Sequence, residues 1–545
     1  MMNSQVFKKT SIALAVLSGA FLYHSAASAN AVYNPSNNTV SISAVDVPSS
    51  SSHVNAPTFS AQLALVPSNG PDIELELVDA AVIATPNSER AHFDPVFSQV
   101  YLPNIDVAGT PFSAVLELIP NSNPMRFRVK TLHEKAFTGC PSFASPFGNV
   151  PNACVLEGEY NQDITLTNNI TWILGGGVFI GGDRTNSATI TIEPGTKIIG
   201  RSGLDFLYIR RDSKIHAIGT PQHPIVMTGP NEQLPGEWAG LVIAGNAPAN
   251  GCSETVTGGC EQLDEALTSP YGGNNPQDNS GVLKYVSVRY AGFEVRPDEE
   301  LNCMTFLGVG SGTTVDFAQC YMGKDDGFEM FGGTVNLKHM VATYNGDDQF
   351  DWQIGWVGKA QYVLTVALSD DGDAGIEADN NQQNHNSLPR SLGKLSNFTM
   401  IGSGTGVDGH GIVLRRGTAA NIHNTVITGY GRSCITLDNP ATYEHAGLPG
   451  SLTGSLTIQN SYVNCDVNFN DQSGLPFLVS DWFNSQPGNV AGDPQLNGYL
   501  PAANSPLKTG GAPVPNDAFF EPVNYIGAFA NENDDWTKGW TIGLD

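Results

Sequence analysis

Between Met322 and Asn381 one short pattern occurs three times, as Gly323-Lys324-Asp325-Asp326-Gly327-Phe328-Glu329, Asn345-Gly346-Asp347-Asp348-Gln349-Phe350-Asp351 and Ser369-Asp370-Asp371-Gly372-Asp373-Ala374-Gly375-Ile376-Glu377. Each copy is an acidic turn, an apolar residue and a carboxylate. The apolar positions are 22 and 26 residues apart, and the frame continues at Ile412 and Ile435 after 36 and 23 more. Such spacing is too long for a hairpin and typical of a solenoid. Alternate side chains of a strand point to opposite faces. Phe328, Phe350, Ile376, Ile412 and Ile435 are therefore expected to stack as an inward ladder, with Glu329, Asp351 and Glu377 as an outward one. The pattern predicts an all-β chain built as a right-handed parallel β-helix.

Composition agrees. Only 14% of the 545 residues are charged and 59 are Gly, which suits short strands joined by tight turns. The formal net charge of −27 argues against nucleic acid or an anionic membrane as partner. At the N-terminus, Lys8 and Lys9 precede an apolar run from Ile12 to Tyr23, and Ala27-Ser28-Ala29 supplies small residues for cleavage. Residues 1–29 thus read as a signal peptide, with a secreted or cell-surface mature protein; no apolar run is long enough to span a bilayer. Eight cysteines follow, an even number that favours disulfides in an oxidising compartment. Their spacing suggests sequential pairing of Cys140 with Cys154, Cys252 with Cys260, Cys303 with Cys320 and Cys434 with Cys465.

Residues 30–135 read as two duplicated β modules: Ala31-Val32-Tyr33-Asn34-Pro35 returns as Ala91-His92-Phe93-Asp94-Pro95, and Val45-Asp46-Val47 as Ile105-Asp106-Val107. The solenoid is expected over 136–465, with a loop insertion near 231–280, and residues 466–545 as a last coil and C-terminal cap. Pro194-Gly195-Thr196, Ala217-Ile218-Gly219-Thr220 and Pro224-Ile225 resemble the opening coils of secreted bacterial β-helix proteins of the pectin-lyase-like superfold. Phe331-Gly332-Gly333-Thr334-Val335 and Tyr525-Ile526-Gly527-Ala528-Phe529 resemble a family of uncharacterised exported hypothetical proteins and lipoproteins. That resemblance implies the fold and brings no activity.

The chemistry concentrates in the acidic turns. Eleven carboxylates lie between Met322 and Asn381, and neighbouring coils would hold equivalent ones about 4.8 Å apart. Side by side they repel, so either a pKa rises or a cation sits between them. Calcium, with its oxygen ligands, is favoured over ordinary solvated turns, and Asp325, Asp326, Asp347, Asp348, Asp370, Asp371 and Asp373 are its candidate ligands. The same region resembles polygalacturonases, which carry an Asp on one coil, an Asp pair on the next, then Gly-His-Gly and basic residues. Here those are Asp326, Asp347-Asp348, Gly409-His410-Gly411 and Arg415-Arg416. The resemblance implies that one carboxylic acid protonates the leaving oxygen while another carboxylate activates water. His410, however, follows the pair by 62 residues, where that family places it about one coil on. A lyase would need Arg415, Arg416, Lys324 or Lys338 beside a uronate. Glu329, Asp351 and Glu377 are expected to face substrate. Trp352 and Trp356 either stack on sugar rings or pack internally. His339, which aligns with Asn424, reads as a structural turn residue. Two classes of function follow: a calcium-binding protein that binds, and in one reading cleaves, an extracellular polysaccharide, or a non-catalytic surface or matrix protein that binds other surface proteins.

Overall fold

The computed structural model describes residues 30–544 except 49–55, 69, 253–258, 265–266, 268, 297–298, 368–372, 405–408 and 515–516. The leader stretch 1–29 and the candidate ligands Asp370 and Asp371 lie outside the described residues. The chain divides into a unit ending at Thr138 and one beginning at Gly139.

The first unit is an eight-stranded sheet made of two copies of a four-strand meander. One copy runs Ala31–Asn34, Thr39–Asp46, Thr58–Val66 and Glu74–Ile83; the other runs Ala91–Asp94, Gln99–Val107, Thr110–Leu118 and Arg126–Glu134. In each, the residue before Pro makes the turn: Asn34 Oδ1 accepts from Ser36 N at 3.0 Å and Asp94 Oδ1 from Val96 N at 2.9 Å. The first strand of each copy then pairs in parallel with the second strand of the other, Ala31 opposite Ile105 and Val45 opposite Ala91. This exchange closes the sheet into a small barrel-like unit around Ile42, Leu63, Leu102 and Leu116, and so removes open strand edges.

The second unit is a parallel β-helix whose parallel strands begin at Ala153–Tyr160. In each central coil a short strand of the front sheet leads to a longer strand bent in the middle. Thus Met304–Leu307 is followed by Thr314–Tyr321, Phe328–Phe331 by Asn336–Thr343, and Phe350–Gln353 by Lys359–Val366. The register places Phe328 opposite Phe350 and Ile376 opposite Ile412, which lies opposite Ile435. All five are fully buried, forming the inward ladder that the repeat predicts.

The bend falls on one position per coil. Tyr285, Phe317, His339, Tyr362, Asn397, Asn424 and Asn460 all have φ between 49° and 61°. Asn tolerates this left-handed conformation, whereas an aromatic residue there costs of order 1–3 kcal/mol. The aromatic positions recover part of that cost by stacking: ring centroids are 4.5 Å apart for Tyr285 and Phe317, 4.1 Å for Phe317 and His339, and 4.9 Å for His339 and Tyr362. Each such pair contributes about 0.5–1.5 kcal/mol beyond area burial.

Two boundaries differ from expectation. The segment 231–280 is not one insertion, because its strand Gly240–Ala244 pairs with both Phe206–Ile209 and Met304–Leu307 and completes a coil. Within the expected cap over 466–545, the helix Val479–Ser485 covers the end of the stack, burying Trp482 and Phe483, with Trp482 Nε1 donating to Leu456 O; the segment that follows it does not. The tail instead runs back along the bends. Asn424 Nδ2 donates to Ala512 O, Asn397 Nδ2 to Tyr525 O, Gln361 Nε2 to Glu521 O and Gln319 Nε2 to Ile542 O. Trp536 and Trp540 pack edge-on against Phe317. The physical reason is that polar and aromatic side chains at the bends need partners and cover, which the tail supplies. Four disulfides join the cysteines in sequential pairs, as their spacing suggests.

Phe350 touches Trp352, Trp356 and Phe398 at the centre of the inward ladder. Phe350→Ala is expected to cost about 3–5 kcal/mol, read as a fall in the denaturant midpoint.

Candidate functional site

The front sheet carries the acidic residues in three parallel rows. On its outward face Thr305, Glu329, Asp351 and Glu377 stand in register on successive coils. Two residues further along each strand, and so on the same face, come Leu307, Phe331, Gln353, Asp379 and Arg415. Two residues before the inward ladder come Asn302, Asp326, Asp348, Ala374 and His410. Repetition of one frame thus brings Asp326, Asp348, Glu329, Asp351, Glu377 and Asp379 close together on neighbouring coils, all six of them buried.

Burial dominates their electrostatics. It pushes the carboxyls of Asp326, Asp348 and Asp351 well above the usual range, and neighbouring carboxylates push them further: Asp325 for Asp326, Asp326 for Asp348, and Glu329 for Asp351. Glu377 is pushed up to about 7 by burial, against the pull of Arg415. Arg415 bonds Glu377 and donates from Nε to Asp379 Oδ1 at 2.9 Å, while Arg416 binds the other Asp379 oxygen. Glu329 is held by two amides: Asn302 Nδ2 donates to Oε2, and Gln353 Nε2 to Oε1 at 2.8 Å. Asp348 N donates to Asp326 Oδ1 at 2.9 Å, which links consecutive coils.

Three groups have ligand oxygens within 4.8 Å of one another: Asp325, Asp326 and Asp347; Asp326, Glu329 and Asp351; and Asp347, Asp348 and Asp373. Only the middle group is buried throughout. Among the described residues, buried side-chain oxygens of Asp348, Asp351 and Asn302 have no hydrogen-bond donor.

Other expectations are corrected. Trp352 and Trp356 offer no stacking face to a sugar, because both are fully buried and their indole N–H groups donate to Thr418 Oγ1 and Val335 O. Trp352 follows the inward Phe350 by two residues and points the same way. His410 lies opposite Ala374, two coils or about 10 Å beyond Asp348, and bonds Ser433 and Thr436 on the coil after it. It therefore forms no unit with the Asp pair. The basic residues of a lyase are not assembled either: Lys324 pairs with Glu294 and Lys338 with Glu521. His339, as expected, occupies a structural bend, and its Nδ1 is 2.7 Å from Asp316.

A cleft of about 250 Å³ opens beside the carboxylates. Val242, Thr305 and Phe331 of the outward face form its floor; Gln262, from the short strand Gln262–Leu263, and Gln382 and Gln383, from a loop, line it. Asn302 and Gln353, the two amides on Glu329, also line it. Sequence reading missed these residues and Asp379. Extending the coil frame back by one turn would have found Asn302, and strand alternation would have found Gln353 and Asp379. Nothing local in the sequence marks the loop glutamines.

Residues 158–487 match the family model of a pectate-lyase-like beta helix domain. No curated protein and no solved structure matches the chain.

Removing Arg415 would leave Glu377 and Asp379 with less counter-charge. Arg415→Gln is expected to cost about 3 kcal/mol. The loss should be larger near pH 8 than near pH 5, where Glu377 takes up a proton; chemical denaturation at both pH values checks this.

Proposed function

This chain belongs to the pectate-lyase-like β-helix family, and we propose that it is an exported protein that binds an extracellular polysaccharide in the front cleft, beside a calcium ion held by the carboxylate rows. The observation that carries this reading is the link between the two features: the amides that hold Glu329 are also walls of the cleft. Ordering the carboxylates therefore orders the binding surface. The four disulfides support export to an oxidising compartment, and no helix among the described residues is long and apolar enough to cross a membrane.

Asp326, Glu329 and Asp351 suit calcium. Oxygens bound to one calcium at about 2.4 Å are at most about 4.8 Å apart, and these three meet that limit. The oxygens of Asp348 and Asn302 that have no donor among the described residues are further acceptors, on residues hydrogen-bonded to Asp326 and Glu329, a mixture of carboxylate and amide oxygen that calcium accepts. When bound, the ion would supply the counter-charge that Arg415 and Arg416 give only to Glu377 and Asp379.

A second reading, hydrolysis, would use Glu377 as the acid: burial pushes its carboxyl up to about 7, the range that suits proton donation near neutral pH. New reducing ends on incubation with polysaccharide would support it.

Calcium linkage has a definite sign. In chelator, carboxyls raised above their unfolded values bind more protons in the folded state, so stability is highest at low pH. It falls as pH rises from the unfolded value towards about 7 and beyond. Added calcium is expected to raise the melting temperature most at the alkaline end and to flatten this slope. Asp351→Asn should abolish most of the calcium response and weaken retention on polysaccharide. Equal melting curves in calcium and chelator from about pH 5 to about pH 8 would rule out the ion, and a protein that binds no polysaccharide would end the reading.

A further inference from the structure

Resting on that reading, we infer that the cleft selects an uncharged sugar chain, neutral or N-acylated, and rejects uronate polymers. A uronate bears one carboxylate per residue and needs cationic partners, for which arginine forks or lysines are the usual means. Among the described residues lining the cleft there is no Lys or Arg. Nearby guanidinium groups are already bound: Arg415 and Arg416 by Glu377 and Asp379, and Arg184 and Arg211 by Glu261. The charge that does line the cleft, Asp264, is negative; its oxygens accept from the backbone N–H groups of Leu267 and Ser269 and so hold the loop wall. Six further carboxylates stand on the neighbouring coils. Arg415 and Arg416 offset two of their charges and one calcium ion would offset two more, so the balance that remains is negative and gives a polyanion no attraction.

What the cleft offers instead is amide. Gln262, Asn302, Gln353, Gln382 and Gln383 line it; Asn302 and Gln353 donate to Glu329 and Gln262 to Asn250 O, so it is chiefly Gln382 and Gln383, with the side-chain oxygens of Gln262 and Gln353, that match the donor and acceptor character of sugar hydroxyls. Gln382 and Gln383 are exposed and able to turn towards a ligand. Phe331 and the apolar side chains of the floor supply a surface for the C–H face of a ring. Small volume points the same way: about 250 Å³ is below the range of about 300–1,000 Å³ of ordinary ligand pockets, so one or two sugar units would be gripped while the chain continues along the sheet.

The test is affinity electrophoresis and calorimetry of the full-length secreted chain, in calcium and in chelator, with dextran, xylan, galactan and chitin oligomers against polygalacturonate and alginate. Binding to an uncharged polymer, weakened about tenfold in Gln382→Ala/Gln383→Ala with an unchanged melting temperature, is expected. Tighter binding to polygalacturonate or alginate would overturn the inference and leave the polysaccharide-binding reading standing. Failure to bind any of the polymers would overturn both. Binding to an uncharged polymer that the double variant retains in full would place the ligand elsewhere and refute the assignment to this cleft.

Discussion

Everything distinctive about this chain follows from stacking one coil on the next at the spacing of hydrogen-bonded strands. Once Phe328 lies opposite Phe350, every residue of one turn is committed to a like-numbered place on its neighbour. Apolar residues in such rows pack well, and the fully buried Phe and Ile ladder is the gain. Charged residues in the same rows are forced together, and the crowding of Glu329, Asp351 and Glu377 is the cost. The acidic face is thus a direct result of the register that builds the core. The two amides on Glu329 and the guanidinium groups on Glu377 and Asp379 offset part of that cost; the remainder appears as raised carboxyl pKa values and oxygens without donors.

Sequence reading recovered the part of this arrangement that repeats. The inward ladder, the outward carboxylates, the sequential disulfides and the structural bend at His339 are each set by local spacing, and local spacing is visible in a chain of letters. The direction of Trp352 was legible but was left open between stacking on sugar and internal packing, although it stands two residues from an inward Phe and must share its direction. What was not legible arises where the chain leaves the repeat. The long excursion after Asp379 stretches the interval to Ile412 without disturbing its register, and His410 stands two coils beyond Asp348, further than the one coil of the polygalacturonase pattern, as its 62-residue separation implied. The cleft joins Gln262 to Gln382 and Gln383 across more than a hundred residues, and only the fold brings them together.

The family relation gives the architecture and stops short of the chemistry. A pectate-lyase-like β-helix makes a polysaccharide-related role the natural expectation, and the front sheet has a chemical character of its own to set beside it. Its carboxylates are buried, its basic residues are internally paired, and its accessible wall is built of amides. Function in such folds resides in the site grafted on the scaffold, and here the scaffold's own register supplies half of that site.

The C-terminal tail alters how the solenoid behaves as a mechanical object. A stack of coils in which each touches only its neighbours comes apart from its ends, one unit at a time. Here a single segment is tied in turn to Asn424, Asn397, Gln361 and Gln319, and its two tryptophans close over the aromatic bends. Coils well separated along the axis thereby share one partner, and loss of that partner at any point exposes the others. The tail acts as a splint: it converts a chain of semi-independent turns into a block that opens cooperatively, with the acid-bearing front sheet held at fixed spacing from the rear.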